Sequence, residues 1–323
     1  MFKNKYLHCV IATGLGTCTG VVCAQSNYPV KPIRMVIALA AGGGVDTSGR
    51  MLGQRFTDAW GQAVVSENRP GAGGTIATEL VARAAPDGYT LLMTSAGHAT
   101  TPAMYKLNFD AIKDFAPITL FVQSPSVLVV HPSLPVKTVK ELIAFTRARP
   151  NQLLFSSSGT GNGQHLVMEL LNSMAGTTFV HVPYKGTAPS ITDLVGGRVS
   201  VTAASAISTM QHVRAGRLRA LAVCAAKRSP SVPELPTIAE AAIPGYAVDQ
   251  WYALLAPAGT PRDVVTKLYG EVAKMVADPP TRDRLLSMGL DPVGSAPDEF
   301  ATYLKAETTK WGELIREAGI KVN

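Results

Sequence analysis

MVIALAAGGGVDTSGR, residues 35–50, runs from a short apolar segment through three glycines into a segment with helical spacing. The same order recurs at residues 153–166, LLFSSSGTGNGQHL. Each pattern predicts a buried strand, a tight turn and a helix. Small residues at such a turn let a ligand approach the backbone N–H groups, and the helix that follows adds unpaired amides and the positive end of its dipole. Two such turns in one chain predict an anion that is held from two sides.

Strands and helices alternate around both turns, and the rhythm restarts near residue 139. The patterns predict strands at residues 33–39, 63–67, 90–94, 153–156, 178–182, 199–203 and 218–223, and a strand-like run around residues 121–130 that Pro125 interrupts. They predict helices at residues 46–60, 76–84, 139–147, 163–174, 187–195, 262–277, 280–288 and 297–318. This order indicates α/β architecture with two halves, each built on a parallel sheet.

The N-terminal segment has the pattern of a secretory signal. Lys3, Lys5 and His8 precede an uncharged apolar run that ends in small residues at Ala24. We expect cleavage after Ala24 and a soluble exported protein, because the run is short for a membrane span and no stop-transfer flank follows. A lipid anchor on Cys18 or Cys23 is the second interpretation.

Charge and cysteine content narrow the function classes. The formal charge of +7 falls to +5 when Lys3 and Lys5 leave with the signal, and the basic residues are scattered, which argues against a nucleic-acid partner. Cys224 is the one cysteine that follows Ala24, so neither a disulfide framework nor a cysteine metal site can form.

Enzyme signatures are absent from the sequence. There is no Walker loop, no Gly-x-Ser-x-Gly elbow and no His-Glu-x-x-His helix, and the glycines at residues 159–163 lack dinucleotide-binding spacing. The histidines show no metal-ligand spacing, so we expect no metal and no cofactor. The effector domain of a transcription regulator would have a DNA-binding module and no export signal. An exported α/β enzyme remains the rival class.

The chain resembles the extracytoplasmic solute receptors of tripartite tricarboxylate transporters, the Bug receptors, from about residue 28 to the C-terminus. The motifs that carry the resemblance are YPVKPIR at 28–34, GGGVD at 42–46, ENRPGAGG at 67–74, PDGYTLL at 86–92, FSSSG at 155–159 with QHL at 164–166, VPYKG at 182–186 and WYALLAPAGTP at 251–261. One departure is LAA at residues 39–41, where the family usually has a Phe-Pro-type dipeptide before its glycines.

The resemblance implies a two-lobed, type II periplasmic binding protein of the Venus-flytrap kind, with two doubly wound α/β domains and a two-segment hinge. The implied division is a signal peptide at 1–24, lobe 1 at 25–128 and 252–323, and lobe 2 at 129–251, with crossings near 126–131 and 249–253. It implies a monomer that captures a small organic acid (a di- or tricarboxylate, acidic amino acid or aromatic carboxylate) in the periplasm. Its partners would be the membrane subunits of the transporter; an orphan periplasmic ligand sensor is the alternative.

The turn chemistry and the resemblance together select the candidate ligand-binding residues. These are Gly42, Gly43, Gly44, Asp46, Ser95, His98, Ser157, Ser158, Gly159, Thr160, Gly161, Tyr184, Lys185, Gly186 and Ser205. Hydroxyls and amides at residues 157–161 suit a carboxylate, which accepts several hydrogen bonds. Three candidates have an alternative role: Asp46 as a helix cap, His98 as a structural hydrogen-bonding group and Lys185 as a surface charge.

Overall fold

The computed structural model describes Met1 and residues 28–317, with the backbone alone at residue 317. The predicted signal peptide and its cleavage after Ala24 lie, Met1 apart, outside the described residues. The strands are β1 (Ile33–Ile37), β2 (Val64–Asn68), β3 (Thr90–Ser95), β4 (Phe115–Gln123), β5 (Ser126–Val130), β6 (Leu154–Ser157), β7 (Val180–Pro183), β8 (Val201–Ser205), β9 (Arg219–Val223), β10 (Trp251–Pro257) and β11 (Asp291–Pro292).

The helices follow the strands in alternation along most of the chain. They are α1 (Gly44–Trp60), α2 (Thr75–Ala82), α3 (Gly97–Thr100), α4 (Val139–Arg147), α5 (Gly163–Ala175), α6 (Thr187–Val195), α7 (Ala206–Arg214), α8 (Ile238–Ala241), α9 (Arg262–Ala277), α10 (Pro279–Ser287) and α11 (Pro297–Glu317). Within the described part of the chain, no helix combines the length and the apolar character that are needed to cross a membrane.

The strands form two mixed sheets, one in each lobe. The sheet of lobe 1 has the order β11-β4-β10-β3-β1-β2, and the sheet of lobe 2 has the order β7-β6-β8-β5-β9. β1 is parallel to β2 and β3, and β6 is parallel to β7 and β8, as the alternating pattern predicts. β10 and β5 are antiparallel to their neighbours. Each of these two strands arrives from the other lobe and enters at the carboxyl edge of the parallel strands, so it runs against them.

The chain passes between the two sheets at adjacent places. β4 ends at Gln123 and β5 begins at Ser126, so the first crossing is the short segment at Ser124 and Pro125. The return leads into β10, and the backbone N–H of Ser124 donates to the carbonyl of Gln250 at 2.9 Å. The two crossing segments are therefore tied to each other at the floor of the cleft. The predicted lobe boundaries at residues 128/129 and 251/252 fall inside β5 and β10, and their exact positions remain a prediction.

The C-terminal helix α11 contacts both lobes. Phe300 and Leu304 near its start are buried in a cluster with lobe 1 residues such as Trp251. Trp311 and Ile315 near its end are buried in the main core cluster of lobe 2, beside Tyr246. The helix thus spans the side of the molecule on which the chain crosses.

Candidate ligand site between the lobes

A narrow cavity of about 20 Å³, partly open to solvent, lies between the lobes at the carboxyl ends of the parallel strands. This is where ligands bind in open α/β sheets. Its lining comes from both lobes and from both crossing segments. The lining residues are Leu39, Ala40, Gly43, Gly44, Val45, Ser95, Ser126, Ser158, Asn162, Gly163, Gln164, Thr187, Ser205, Gln250 and Tyr252.

The N-termini of four helices meet at this cavity. Gly43 precedes α1, Asn162 precedes α5, Thr187 begins α6 and Ser205 precedes α7, and these helices have 17, 13, 9 and 9 residues. Each helix brings a partial positive charge. The first amides of α1, α6 and α7 have no side-chain cap, whereas at α5 the side chain of Asn162 accepts from the N–H groups of Gln164 and His165. None of the described lining residues carries a charged side chain. The cavity therefore offers positive potential from backbone dipoles alone.

Asp46 holds the first glycine turn in shape. Its carboxylate accepts from the backbone N–H of Gly42 at 3.0 Å, from Nε of Arg50 at 2.9 Å and from Nδ2 of Asn68 at 3.0 Å. Burial raises the pKa of Asp46, but these hydrogen bonds and the charge of Arg50 outweigh it and lower the pKa below its usual value. With this carboxylate satisfied by the protein, Gly43 and Gly44 are the members of the turn that face the cavity.

The second turn has one side that packs into lobe 2 and one side that faces the cavity. Ser157 lies on the buried side, where its Oγ is 2.7 Å from Nε2 of His181 and accepts from the N–H of Gly159 at 3.2 Å. The rings of His181 and His165 stack at 4.0 Å, and burial lowers the pKa of the two histidines to about 3 and about 4. Ser158 faces the cavity, and its Oγ accepts from Nδ2 of Asn162.

Thr160 and Gly161 connect the lobes through their carbonyl groups. Oγ1 of Thr100 donates to the carbonyl of Gly161 at 3.2 Å, and the hydroxyl of Tyr105 donates to the carbonyl of Thr160 at 2.5 Å. A Cβ on Gly161 would lie 2.8 Å from the ring of Tyr105, and the residue has a φ of +80°, so both space and backbone favour glycine there. The two donors belong to lobe 1 and the two acceptors to lobe 2.

A second cavity lies on the other side of the second turn and shares Leu39 and Ser158 with the first. It holds the predicted residues Gly159, Thr160, Tyr184 and Lys185. Burial and the neighbouring Asp193 raise the pKa of Tyr184 to about 12, and its hydroxyl donates to Oδ2 of Asp193 at 2.7 Å.

The other predicted residues separate into two groups. Ser95 and Ser205 line the first cavity. His98 points elsewhere: its Nε2 donates to the carbonyl of Ala111 at 2.8 Å, and its ring packs edge-on against Phe115. Gly186 contacts the first turn, since a Cβ there would lie 2.6 Å from Cβ of Ala40, and Gly42 borders a groove on the outer side of that turn.

Several lining residues were not selected from the sequence, and the most informative are Ser126, Gln164 and Gln250. One side-chain atom of each is buried and has no hydrogen-bond partner within the protein: Oγ of Ser126, Oε1 of Gln164 and Nε2 of Gln250. The alternation of side chains along a strand could have identified Gln250 and Tyr252 as cavity residues. Trp251 between them is fully buried in the lobe 1 core, so alternation along a strand turns its two neighbours toward the cleft.

Residues 49–320 match the model of a family described as tripartite tricarboxylate transporter family receptor. The chain belongs to this family. Three solved structures are similar over nearly its whole length. The R. palustris protein Rpa4515 with adipate is 36% identical over 91% of this chain and 99% of its own, with a TM-score of 0.88. The periplasmic binding protein BugD is 35% identical over 91% and 99%, with a TM-score of 0.86. MatC from Rhodopseudomonas palustris with bound malate is 32% identical over 89% and 100%, with a TM-score of 0.84.

Family membership confirms the two-lobed fold of a periplasmic binding protein and the resemblance to Bug receptors. It also places this receptor outside the enzymes, so the rival interpretation as an exported α/β enzyme falls. The described residues contain no group of three or more histidine, cysteine, aspartate or glutamate side chains that is arranged to hold a metal ion.

Proposed function

We propose that this receptor captures a small organic acid in the periplasm and presents it to the membrane subunits of a tripartite tricarboxylate transporter. The observation that carries the proposal is the meeting of four helix N-termini at one cavity whose described lining residues are uncharged. A carboxylate accepts several hydrogen bonds at once and is favoured by the positive end of a helix. A cation would be disfavoured by the same dipoles.

Gly43, Gly44, Ser95, Ser158 and Ser205 are the predicted ligand-binding residues that border this cavity, and we propose that they contact the acid. The adipate and malate in two of the similar structures support a carboxylate as the ligand class. Because the cavity takes groups from both lobes, an acid that contacts both is best bound in the closed form. Ligand binding then shifts the population toward closure.

The family and the N-terminal sequence pattern support a periplasmic location. Periplasmic binding proteins act outside the cytoplasmic membrane, and we propose that a signal peptide directs this chain there and is removed after Ala24. The intact mass of the protein recovered from the periplasm tests the cut. We expect the mass of a chain that begins at Gln25. The mass of a chain that retains residues 1–24, or that carries a lipid, would contradict cleavage after Ala24.

Calorimetric titration of the mature protein with adipate, malate, citrate and benzoate tests the ligand class. Each acid is paired with its neutral methyl ester, which keeps the carbon skeleton and loses the charge. We expect at least one acid to bind and its ester not to bind. A neutral ester or sugar that binds more tightly than every acid would contradict the proposal. Uptake of the bound acid into vesicles that contain the membrane subunits, with and without the receptor, tests the transporter link.

A further inference from the structure

One wall of the cavity consists of three neutral polar side chains, Ser126, Gln164 and Gln250, which we call the polar wall. Ser126 begins β5, Gln164 lies in the first turn of α5, and Gln250 directly precedes β10. Their side chains line the cavity, and the residues are 0%, 7% and 7% exposed. Each has one buried polar atom without a hydrogen-bond partner in the protein.

Such atoms are unusual, because buried polar groups in folded proteins are nearly always hydrogen-bonded. Some other polar groups of these residues already have hydrogen-bond partners in the protein. Nε2 of Gln164 donates to Oγ1 of Thr187 at 2.8 Å, and the backbone of Gln250 is bonded to Ser124. The groups that remain without a partner are Oγ of Ser126, Oε1 of Gln164 and Nε2 of Gln250. A ligand that forms hydrogen bonds with all three atoms removes the free-energy cost of leaving them buried and unpaired.

The chemistry of the wall differs from that of the helix termini. Backbone amides donate only, whereas the unpartnered atoms of the wall are a hydroxyl, the acceptor Oε1 of Gln164 and the donor Nε2 of Gln250. The described lining residues supply no carboxylate that would neutralise an ammonium group, and the four helix termini add positive potential. An uncharged hydroxyl, which both donates and accepts, fits this wall, and an ammonium group does not.

We infer that this receptor selects a carboxylic acid that carries an uncharged hydroxyl substituent, and that Ser126, Gln164 and Gln250 read that substituent. The inference rests on the proposed function, because it assumes that the helix termini hold the carboxylate. It predicts that neither an unsubstituted acid nor an amino acid of the same length is the preferred ligand.

Three matched series of acids test the inference by calorimetric titration. Each series varies one substituent on a fixed skeleton: malate, succinate and aspartate; 2-hydroxyglutarate, glutarate and glutamate; lactate, propionate and alanine. In the series of fitting length, the hydroxy acid should bind roughly five- to tenfold more tightly than both others, the worth of one buried hydrogen bond. Equal affinities within every binding series, or tightest binding of an amino acid, would overturn the inference.

Two substitutions locate the effect in the wall. Ser126→Ala should reduce the preference for the hydroxy acid over the unsubstituted acid to about twofold or less, without weakening the unsubstituted acid. Gln250→Glu adds a negative charge and should shift the ratio of affinities toward the amino acid by roughly tenfold. Gln152→Glu changes an exposed glutamine in the same way and should leave every ratio unchanged.

The outcomes separate this inference from the proposed function. If benzoate or adipate binds while all nine matched acids fail, or if both variants keep the wild-type ratios, the polar wall does not select the substituent and the carboxylate receptor stands. If no carboxylate binds at all, the proposed function is wrong. Melting temperatures within a few degrees of wild type show that the variants are folded, and Ser126→Ala, which removes one oxygen atom, is the decisive variant if Gln250→Glu does not fold.

Discussion

The carboxamide of Gln250 lies directly over Gly163, the first residue of α5: a Cβ on this glycine would be 1.9 Å from Nε2 of Gln250. The backbone of Gly163 does not have a positive φ, so its conformation alone would permit alanine. Space is what requires glycine. Gly44, at the start of α1, has the same relationship with Tyr252, whose hydroxyl would lie 2.3 Å from an added Cβ. Two side chains of one crossing segment therefore cover the first residue of two opposed helices.

Gly163→Ala should weaken ligand binding while leaving the fold intact. The added methyl group pushes the flexible end of Gln250 out of the cavity, and the higher helix propensity of alanine offsets part of the cost. We expect about tenfold lower affinity by calorimetry and a change of less than about 1 kcal/mol in the free energy of unfolding.

Gly270→Ala in α9 is the matched control, because a Cβ there has no neighbour within 4 Å. It should raise the free energy of unfolding by about 0.5–1 kcal/mol and leave affinity unchanged. Wild-type affinity in Gly163→Ala would show that the position of Gln250 does not matter to the ligand.

Tyr105→Phe should destabilise the closed form. It removes the hydrogen bond from the Tyr105 hydroxyl to the carbonyl of Thr160, which joins lobe 1 to lobe 2. The loss of one such bond is worth about 0.5–1.5 kcal/mol, so affinity should fall roughly three- to tenfold. Small-angle scattering should show a larger radius of gyration for the liganded variant. Tyr269→Phe, in a half-buried tyrosine of α9, is the control; equal affinity and equal radius in both variants would argue against a closing role for Tyr105.

Asp46→Asn should loosen the first glycine turn. The carboxylate accepts hydrogen bonds from three donors. An amide in its place would turn one N–H group toward the N–H groups of Arg50 or Asn68, and at least one of these hydrogen bonds would be lost. The side chain of Arg50 is half exposed, so water screens that ion pair and the bonds to Gly42 and Asn68 matter more. We expect a loss of about 1–3 kcal/mol in the free energy of unfolding and a lower affinity.

Asp58→Asn on the exposed face of α1, where Asp58 accepts a hydrogen bond from Gln54, is the control for Asp46→Asn and should cost less than about 0.5 kcal/mol. Equal losses in the two variants would contradict a special role for Asp46. The folded-state pKa of Asp46 is lowered, so its contribution is present above the usual pKa of 3.8 and is lost as the pH falls below it.

Local patterns predicted the helices well where the signals for a helix end lie in the sequence itself. The predicted helix at residues 139–147 has the bounds of α4, since the hydroxyl of Thr138 accepts from the N–H of Glu141 and caps it. Helix α7 was not predicted, because AISTMQHVR has a weak apolar period and its buried face is set by packing on lobe 2. Local sequence reports caps and periods; it does not report which surface a weakly amphipathic segment will meet.

The residues of the candidate site also differ in whether local sequence is enough to find them. Gly43, Gly44 and Ser158 follow strands, and the rule that ligands bind beyond the carboxyl ends of strands directs attention to them. Ser126 and Gln250 lie in the crossing segments, and their place in the cavity depends on how the two lobes meet. His98 also follows a strand, but its ring turns to Ala111 and Phe115, a choice made by core packing.

The buried imidazole of His98 should make the protein less stable in mild acid. Burial lowers its pKa from 6.5 to about 4, and Nε2–H donates to the carbonyl of Ala111, while Nδ1 has no partner in the protein. Below pH 6.5 the unfolded chain takes up a proton that the folded protein does not accept until about pH 4. The free energy of unfolding should therefore fall between these two values by about 1.4 kcal/mol per pH unit for this residue.

His98→Gln isolates this contribution, because an amide retains the donor to Ala111 and does not titrate. Denaturant unfolding from pH 7 to pH 4 should give a flatter curve for the variant, and the difference from wild type should grow toward pH 4. His98→Ala also removes the titration, but it leaves the carbonyl of Ala111 without its donor, so it should lower stability at every pH. Identical pH slopes in wild type and His98→Gln would mean that His98 has the same pKa in the folded and the unfolded protein. A loss of ligand affinity in His98→Gln with unchanged stability would instead support the sequence-based prediction that this histidine contacts the ligand.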